Sequence, residues 1–90
     1  MRRIVTVVSK EGCHLCETVI SGLRSLSSRY RFEVEVVDIS EDRELHDAYH
    51  LRVPVVKVEG KEIFEANDID NLLDCGAELE RRLAPWAWSP

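Results

Sequence analysis

Glycine and proline are scarce in this chain, four and three among 90 residues. No Gly-, Pro- or Ser-rich stretch divides the sequence, and it has no repeat or low-complexity tract. A single domain over residues 1–90 is expected, with its core at about 3–83 and a short tail at 84–90. Long apolar runs are missing as well. The run inside the opening "MRRIVTVVSK" is five residues, Ile4 to Val8. A bilayer span needs roughly 18, and a secretory signal core about 7–15 with a small-residue cleavage site. This segment is therefore expected to be a first strand, and the chain to be cytoplasmic with no membrane partner. Positive charge is also short. Twelve Lys and Arg face 17 Asp and Glu, for a net charge of −5. The basic residues are scattered from Arg2 to Arg82, which argues against a nucleic-acid partner. Three cysteines are too few, and odd in number, for a secreted disulfide framework. In a cytosolic chain a C-x-x-C pair is catalytic or metal-binding more often than structural.

What is present suits one small globular domain: 44% hydrophobic and 32% charged residues. A chain this short buries about 60–65% of its unfolded surface, enough for one modest core. "RIVTVVS" (3–9) is β-branched and apolar on both faces, as in a buried central strand. After a short loop, Lys10 to Gly12, a helix is expected from about Cys13 to Arg29. Leu15, Cys16, Val19, Ile20, Leu23 and Leu26 form its apolar stripe. Gly22 within it costs about 1 kcal/mol against Ala, which only close packing would offset. "FEVEVVDI" (32–39) alternates, with Phe32, Val34 and Val36 inward, and reads as an edge strand with one wet face. Ser40 is the expected N-cap of a short helix to about His50, with Glu41 and Asp42 where the helix dipole favours acids. Leu45, Ala48 and Tyr49 form its core side. "VPVVKVEGKEIFE" (53–65) is two strands about a turn in which Gly60 supplies a positive φ. A last helix, capped by Asn67 or Asp68, carries Ile69, Leu72, Leu73, Leu79 and Leu83, and is interrupted and bent at Gly76. The tail "APWAWSP" either docks or frays. The order β-α-β-α-β-β-α predicts a four-stranded mixed sheet with helices on both faces.

The chemistry is concentrated in "SKEGCHLCET" (9–18). Cys13 stands where a strand gives way to a helix, so its sulfur faces unpaired N–H groups and the positive end of the helix dipole. Such a setting favours a thiolate, the nucleophilic form. Lys10 adds positive charge from the preceding loop, and a protonated His14 would do the same, while Glu11 and Glu17 oppose them. Cys16 lies one turn on, on the same face, and Cα atoms at i and i+3 are about 5–6 Å apart, within disulfide range. Cys13 could attack a substrate disulfide and Cys16 could resolve the product. Because Cys16 falls on the apolar stripe, it is expected to be the more buried thiol.

Two other classes compete with this reading. Cys13 and Cys16 with His46 and His50, an H-x3-H pair, would make a Cys2His2 zinc set. The 29 residues between the pairs exceed the usual 12–15, so a solvated helix face is the preferred reading of the two histidines. A non-catalytic interaction domain, docking through its acidic surface or the "PWAW" tail, is the other. Cys75 stands alone on the last helix and reads as a small packing residue.

Residues 3 to about 83 resemble the glutaredoxin branch of the thioredoxin superfamily. "SKEGCHLC" matches its strand-end lysine and C-x-x-C, "RVPVV" its T-V-P strand start, and "ANDID" the opening of its final helix. Within that branch, "GCHLCE" is most similar to a group of small bacterial and archaeal glutaredoxin-like proteins. The resemblance implies a thioredoxin/glutaredoxin-like α/β fold and a cis Val53–Pro54 bond, with the proline packed beside the C-x-x-C. It also implies that the Val53 backbone pairs with a bound peptide or glutathione. Asn67 and Asp68 stand for the polar pair that receives glutathione's backbone, but the family's glycines are absent there. Glu62, Glu65 and Asp70 add negative charge, which opposes a ligand bearing two carboxylates.

The expected protein is a thiol–disulfide oxidoreductase with Cys13 as nucleophile and Cys16 as resolving thiol. Lys10, Gly12, His14, Val53, Pro54, Asn67 and Asp68 would line its substrate site. No metal is expected, and no cofactor beyond the Cys13–Cys16 couple, with glutathione a candidate co-substrate. The expected partners are a disulfide-containing protein or small thiol, and a reductase or glutathione as electron donor. A monomer is expected.

Overall fold

The first strand, β1 (Arg3–Ser9), is built from residues with little use for water, and Val5, Val7, Val8 and Ser9 are all buried. In the structure, a computed structural model that describes residues 3–66 and 75–86, this strand occupies the middle of the sheet. The helix α1 (His14–Tyr30) crosses over to β2 (Phe32–Asp38), which runs parallel to β1. A parallel pair needs such a crossover. A short helix, α2 (Arg43–Tyr49), leads to β3 (Val55–Val58) and β4 (Lys61–Glu65). β3 lies antiparallel to both β1 and β4, so the strand order is β2-β1-β3-β4. The hairpin turns at Glu59 (φ 52) and Gly60 (φ 84). Two consecutive positive φ values match the twist of the flanking strands. α3 (Cys75–Leu83) and a single 3-10 turn, Ala84–Trp86, close the described chain.

Alternation along the strands divides the core in two. Val5, Val7, Val56 and Val58 join Phe32 and Phe64 under α1 and α3, which contribute Val19, Leu23, Leu26, Leu79 and Leu83. On the other side, Val8, Val55 and Ile39 meet Leu45 and Tyr49 of α2. Helices thus lie on both faces, as the element order implied. Gly22 finds its explanation here. A Cβ at that position would stand 3.3 Å from Leu79 Cδ1, so the bare backbone lets α1 and α3 approach closely. The tail docks as far as it is described: Trp86 packs against the larger cluster, and its carbonyl accepts a 2.6 Å bond from Arg3 Nη1. No helix among the described residues is long and apolar enough to cross a membrane.

Several local expectations change. The cap of α2 is Asp42, whose carboxylate accepts the Leu45 N–H at 3.1 Å, and not Ser40. Ala48 is exposed, because α2 presents only Leu45 and Tyr49 to the core. Val36 is 40% exposed, since it lies toward the end of an edge strand with only β1 beside it. β3 begins at Val55, two residues later than expected, because Pro54 has no N–H to offer a ladder. Gly76 is the second residue of α3, and the stretch before Cys75, across which a bend was expected, lies outside the described residues. The expected cap at Asn67 or Asp68, and Ile69, Leu72 and Leu73, lie outside the described residues.

Replacing Gly22 by valine should force an isopropyl group against fully buried Leu79. The expected cost is about 1–3 kcal/mol, read as a lowered midpoint in urea unfolding with an unchanged slope.

Candidate active site

The turn from β1 into α1 depends on Gly12, whose φ of 76 lies in the left-handed region that glycine enters without penalty. Nothing lies within 4 Å of where its Cβ would stand, so the demand is conformational and not steric. The loop is braced from β2's end. The Glu11 N–H donates to Ser40 Oγ at 2.9 Å, and the Ser40 N–H donates to Asp38 Oδ1 at 2.8 Å. That backbone bond holds the Asp38 carboxyl below its ordinary value.

Cys13 is the N-cap of α1, with extended backbone at φ −94 and ψ 107. Its Sγ accepts the Cys16 N–H at 3.2 Å, the task that a serine or aspartate oxygen performs at other helix starts. The two cysteines therefore share one helical turn with unequal surroundings. Cys13 is half-buried and Cys16 is 2% exposed, and both are free thiols. Cys16 sits among Val8, Ile39, Val53 and Val55. Burial, first, and then the hydrogen bond with Cys13 push its thiol from 9.0 up to about 12. A backbone hydrogen bond from Lys10 and the Lys10 charge pull the other way, more weakly.

The other expected site residues are placed as follows. The Lys10 ammonium reaches the carbonyl of His50 at 3.5 Å. The His14 side chain is 98% exposed and stands 3.8 Å from a carboxylate oxygen of Glu17. Val53 and Pro54 are buried, their peptide bond is cis, and Val53 packs in the same cluster as both cysteines. The Val53 N–H, however, already donates to the Tyr49 carbonyl at 3.0 Å. Asn67 and Asp68 lie outside the described residues. An open depression of about 410 Å³ beside the turn is lined by Lys10, Glu11, Gly12, Ser40 and His46. Sequence reasoning missed Ser40 as a brace, and missed the carbonyls of Tyr49 and His50. A backbone carbonyl carries no sequence signal, and Ser40 looked like a cap because acids follow it.

The electrostatics differ from the expectation in one respect. Glu62 and Glu65 do not stand as bare negative charge. Both pair with Arg52, Glu65 at 2.8 Å from Nε and Glu62 through Nη2. Those bonds, Glu65 first, raise the Arg52 guanidinium further above its ordinary value. The zinc arrangement is not assembled. His46 and His50 stack on each other, ring centroids 4.9 Å apart, and the described residues contain no group of three or more ligand-type side chains that could hold a metal ion.

A mixed sheet of this topology, with two cysteines at the start of its first helix and a cis Val53–Pro54 bond whose valine packs in their cluster, has the thioredoxin-like fold. Residues 4–83 match the family described as Glutaredoxin-like domain (DUF836), and the chain belongs to that family. Among solved structures it is similar to protein Ne2328 of Nitrosomonas europaea, with 32% identity, a TM-score of 0.72, and coverage of 96% of this chain and 92% of that one. Protein XcR50 of X. campestris shares 26% identity at a TM-score of 0.60, over 86% and 96% of the two chains. Thioredoxin 1 of Thermosipho africanus, 16% identical, matches in fold at a TM-score of 0.57 over 92% and 97%. No curated protein matches the sequence.

The raised Cys16 thiol has a consequence for stability. Above pH 9 the unfolded chain releases this proton while the folded chain keeps it, so stability should fall as pH rises from about 9 through 12. The contribution is fully present below pH 9. Urea unfolding of the reduced protein across that range should show a steeper loss than the Cys16→Ala variant.

Proposed function

We propose that this protein is a thiol–disulfide oxidoreductase that reduces protein or small-molecule disulfides. The observation that carries the reading is the asymmetry of the pair: an accessible Cys13 at a helix N-terminus and a buried Cys16 one turn away. In the first step the Cys13 thiolate attacks R–S–S–R′, forming Cys13–S–S–R and expelling R′–S⁻, which takes a proton from water. In the second, Cys16 loses its proton to solvent base and attacks Cys13 Sγ. The Cys13–Cys16 disulfide forms and R–S⁻ leaves. The substrate is oxidant throughout, gaining two electrons, and the protein loses two. A thiol donor, glutathione or a reductase, returns the pair to the dithiol.

The geometry also supports this order of events. While Cys13 is free, its sulfur and charge help to keep Cys16 protonated. Once Cys13 is tied in a mixed disulfide that charge is gone, and the resolving thiol is easier to ionise. The substrate would lie across the depression at Lys10, Gly12 and Ser40, near His14 and cis Pro54. With the Val53 N–H already occupied, main-chain pairing there would fall to the Val53 carbonyl oxygen. Asn67 and Asp68 are retained in the proposed site by their place in the sequence.

The test uses purified protein equilibrated across dithiothreitol ratios, alkylated and weighed intact. A reversible two-electron transition confined to Cys13 and Cys16 is expected. Cys16→Ser should accumulate a mixed disulfide on Cys13 with a model substrate, and Cys13→Ser should lose turnover altogether. Failure of Cys16→Ser to trap any adduct through Cys13 would sink the assignment of roles.

A further inference from the structure

The sheet has two edges, and they are finished differently. On β4 the pairing with β3 slips between Val56 and Lys57, and Arg82 Nη1 donates to the Ile63 carbonyl at 3.0 Å. A bulge and a side chain laid on the backbone both blunt an edge. β2 has neither. Its register with β1 runs unbroken from Arg3 with Phe32 to Ser9 with Asp38. Its sequence, FEVEVVD, holds no proline or lysine, the residues that commonly spoil an edge for pairing. β1 is its one strand neighbour, and no group among the described residues bonds the backbone of Glu33 to Val37 from the outer side. Half of the N–H and C=O groups over this stretch therefore face away from the sheet.

The side chains mark what such an edge accepts. Register partners share a face. Val34 and Val36 thus lie on the side of Val5 and Val7, and Glu33 and Glu35 on the opposite side with Ile4 and Thr6. Val36 is 40% exposed and Ile4 46%, although both are large and apolar. Glu33 and Glu35 are exposed, and neither has an ion-pair partner among the described residues. Other acids of the sheet do: Glu59 faces Arg3, and Glu62 and Glu65 share Arg52. Arg31, just before the strand, is exposed and disfavours a basic residue opposite that end.

We propose that the outer edge of β2 is a docking site for an extended segment of a partner protein in which basic and apolar residues alternate. The segment adds to the sheet as a further strand, its main chain pairing with the free groups from Glu33 to Val37. Its apolar residues stand beside Val34 and Val36. Its lysines or arginines stand on the other face, beside Glu33 and Glu35. Opposite charges across a strand pair stabilise it, and like charges oppose it. The same rule excludes a second copy of this chain. Antiparallel pairing about a two-fold axis normal to the sheet would set Glu33 and Glu35 against Glu35 and Glu33. The two acids close the edge to self-association and open it to a basic strand. Docking uses no cysteine and so does not depend on the dithiol reading.

The probe is a blocked, fluorescent heptapeptide of alternating lysine and valine. Binding to the full chain is read by anisotropy and located by amide shifts in NMR. Saturable binding should shift the amides of Glu33 to Val37 and leave those of Lys61 to Glu65 in place. A heptapeptide of alternating glutamate and valine should not bind, nor should the lysine peptide once its amides are N-methylated. Glu33→Gln and Glu35→Gln should each weaken binding about two- to fivefold. The double reversal, Glu33→Lys with Glu35→Lys, should abolish it and admit the glutamate peptide instead. No shift at about 1 mM peptide, the weak end of specific binding, would overturn the inference. So would equal binding of the glutamate peptide, or shifts centred on Gly12, Cys13 and Val53. A concentration-dependent dimer in sedimentation, with the β2 amides shifting as it forms, would make a second copy the occupant and overturn it as well.

Discussion

A strand with no wet face is the constraint from which the rest of this structure follows. β1 carries valine on both sides, so it must have a strand at each edge and a helix layer on each face. β2 and β3 supply the edges, α1 with α3 one layer, and α2 the other. Because β2 is parallel to β1, the connection must cross the sheet, and α1 begins where β1 ends. The start of α1 is therefore brought to the carboxyl end of a buried strand, with its N–H groups unpaired. That is where Cys13 stands, its sulfur accepting one of those groups. The position of the dithiol is a by-product of covering β1.

Burial then makes two like side chains unlike. Cys13 and Cys16 are separated by one helical turn, yet one sulfur completes the helix end and the other lies in the smaller core cluster. The second cluster is formed by Val53 and Val55 reaching over from the hairpin arm, so Val53 of the cis Val53–Pro54 bond and the Cys16 thiol share one packing unit. Charge around the site is correspondingly ordered. Asp38 and Asp42 accept turn and helix N–H groups, Glu62 and Glu65 share Arg52, and the Lys10 ammonium lies 3.5 Å from the His50 carbonyl.

The periodic features were legible from residue order. The continuous β-branched run of β1, the apolar stripe of α1 and the Gly60 turn are local patterns, and each appears where its pattern lies, while the alternation of β2 holds to Val34 and fails at Val36. The errors are also local in origin. Ser40 followed by two acids looks like a helix cap, but its hydroxyl is drawn to Glu11, a residue 29 positions away. Ala48 looks apolar in the right register, but a seven-residue helix covers only what Leu45 and Tyr49 reach. Gly22 looked like a cost until Leu79 was seen packed over it.

The sequence by itself determined the class of fold, the identity of the two thiols and their order along the helix. These depend on hydrophobic period and on a fixed three-residue spacing, which neighbouring residues enforce. Only the tertiary structure decided which contacts form around the site: the Tyr49 carbonyl that takes the Val53 N–H, the His50 carbonyl that meets Lys10, and the single charge of Arg52 that Glu62 and Glu65 share. Each of these joins segments 4 to 40 residues apart through atoms that are the same in every residue, or through long side chains free to choose among partners. Residue type therefore carries no record of them, and only the packed chain brings them together.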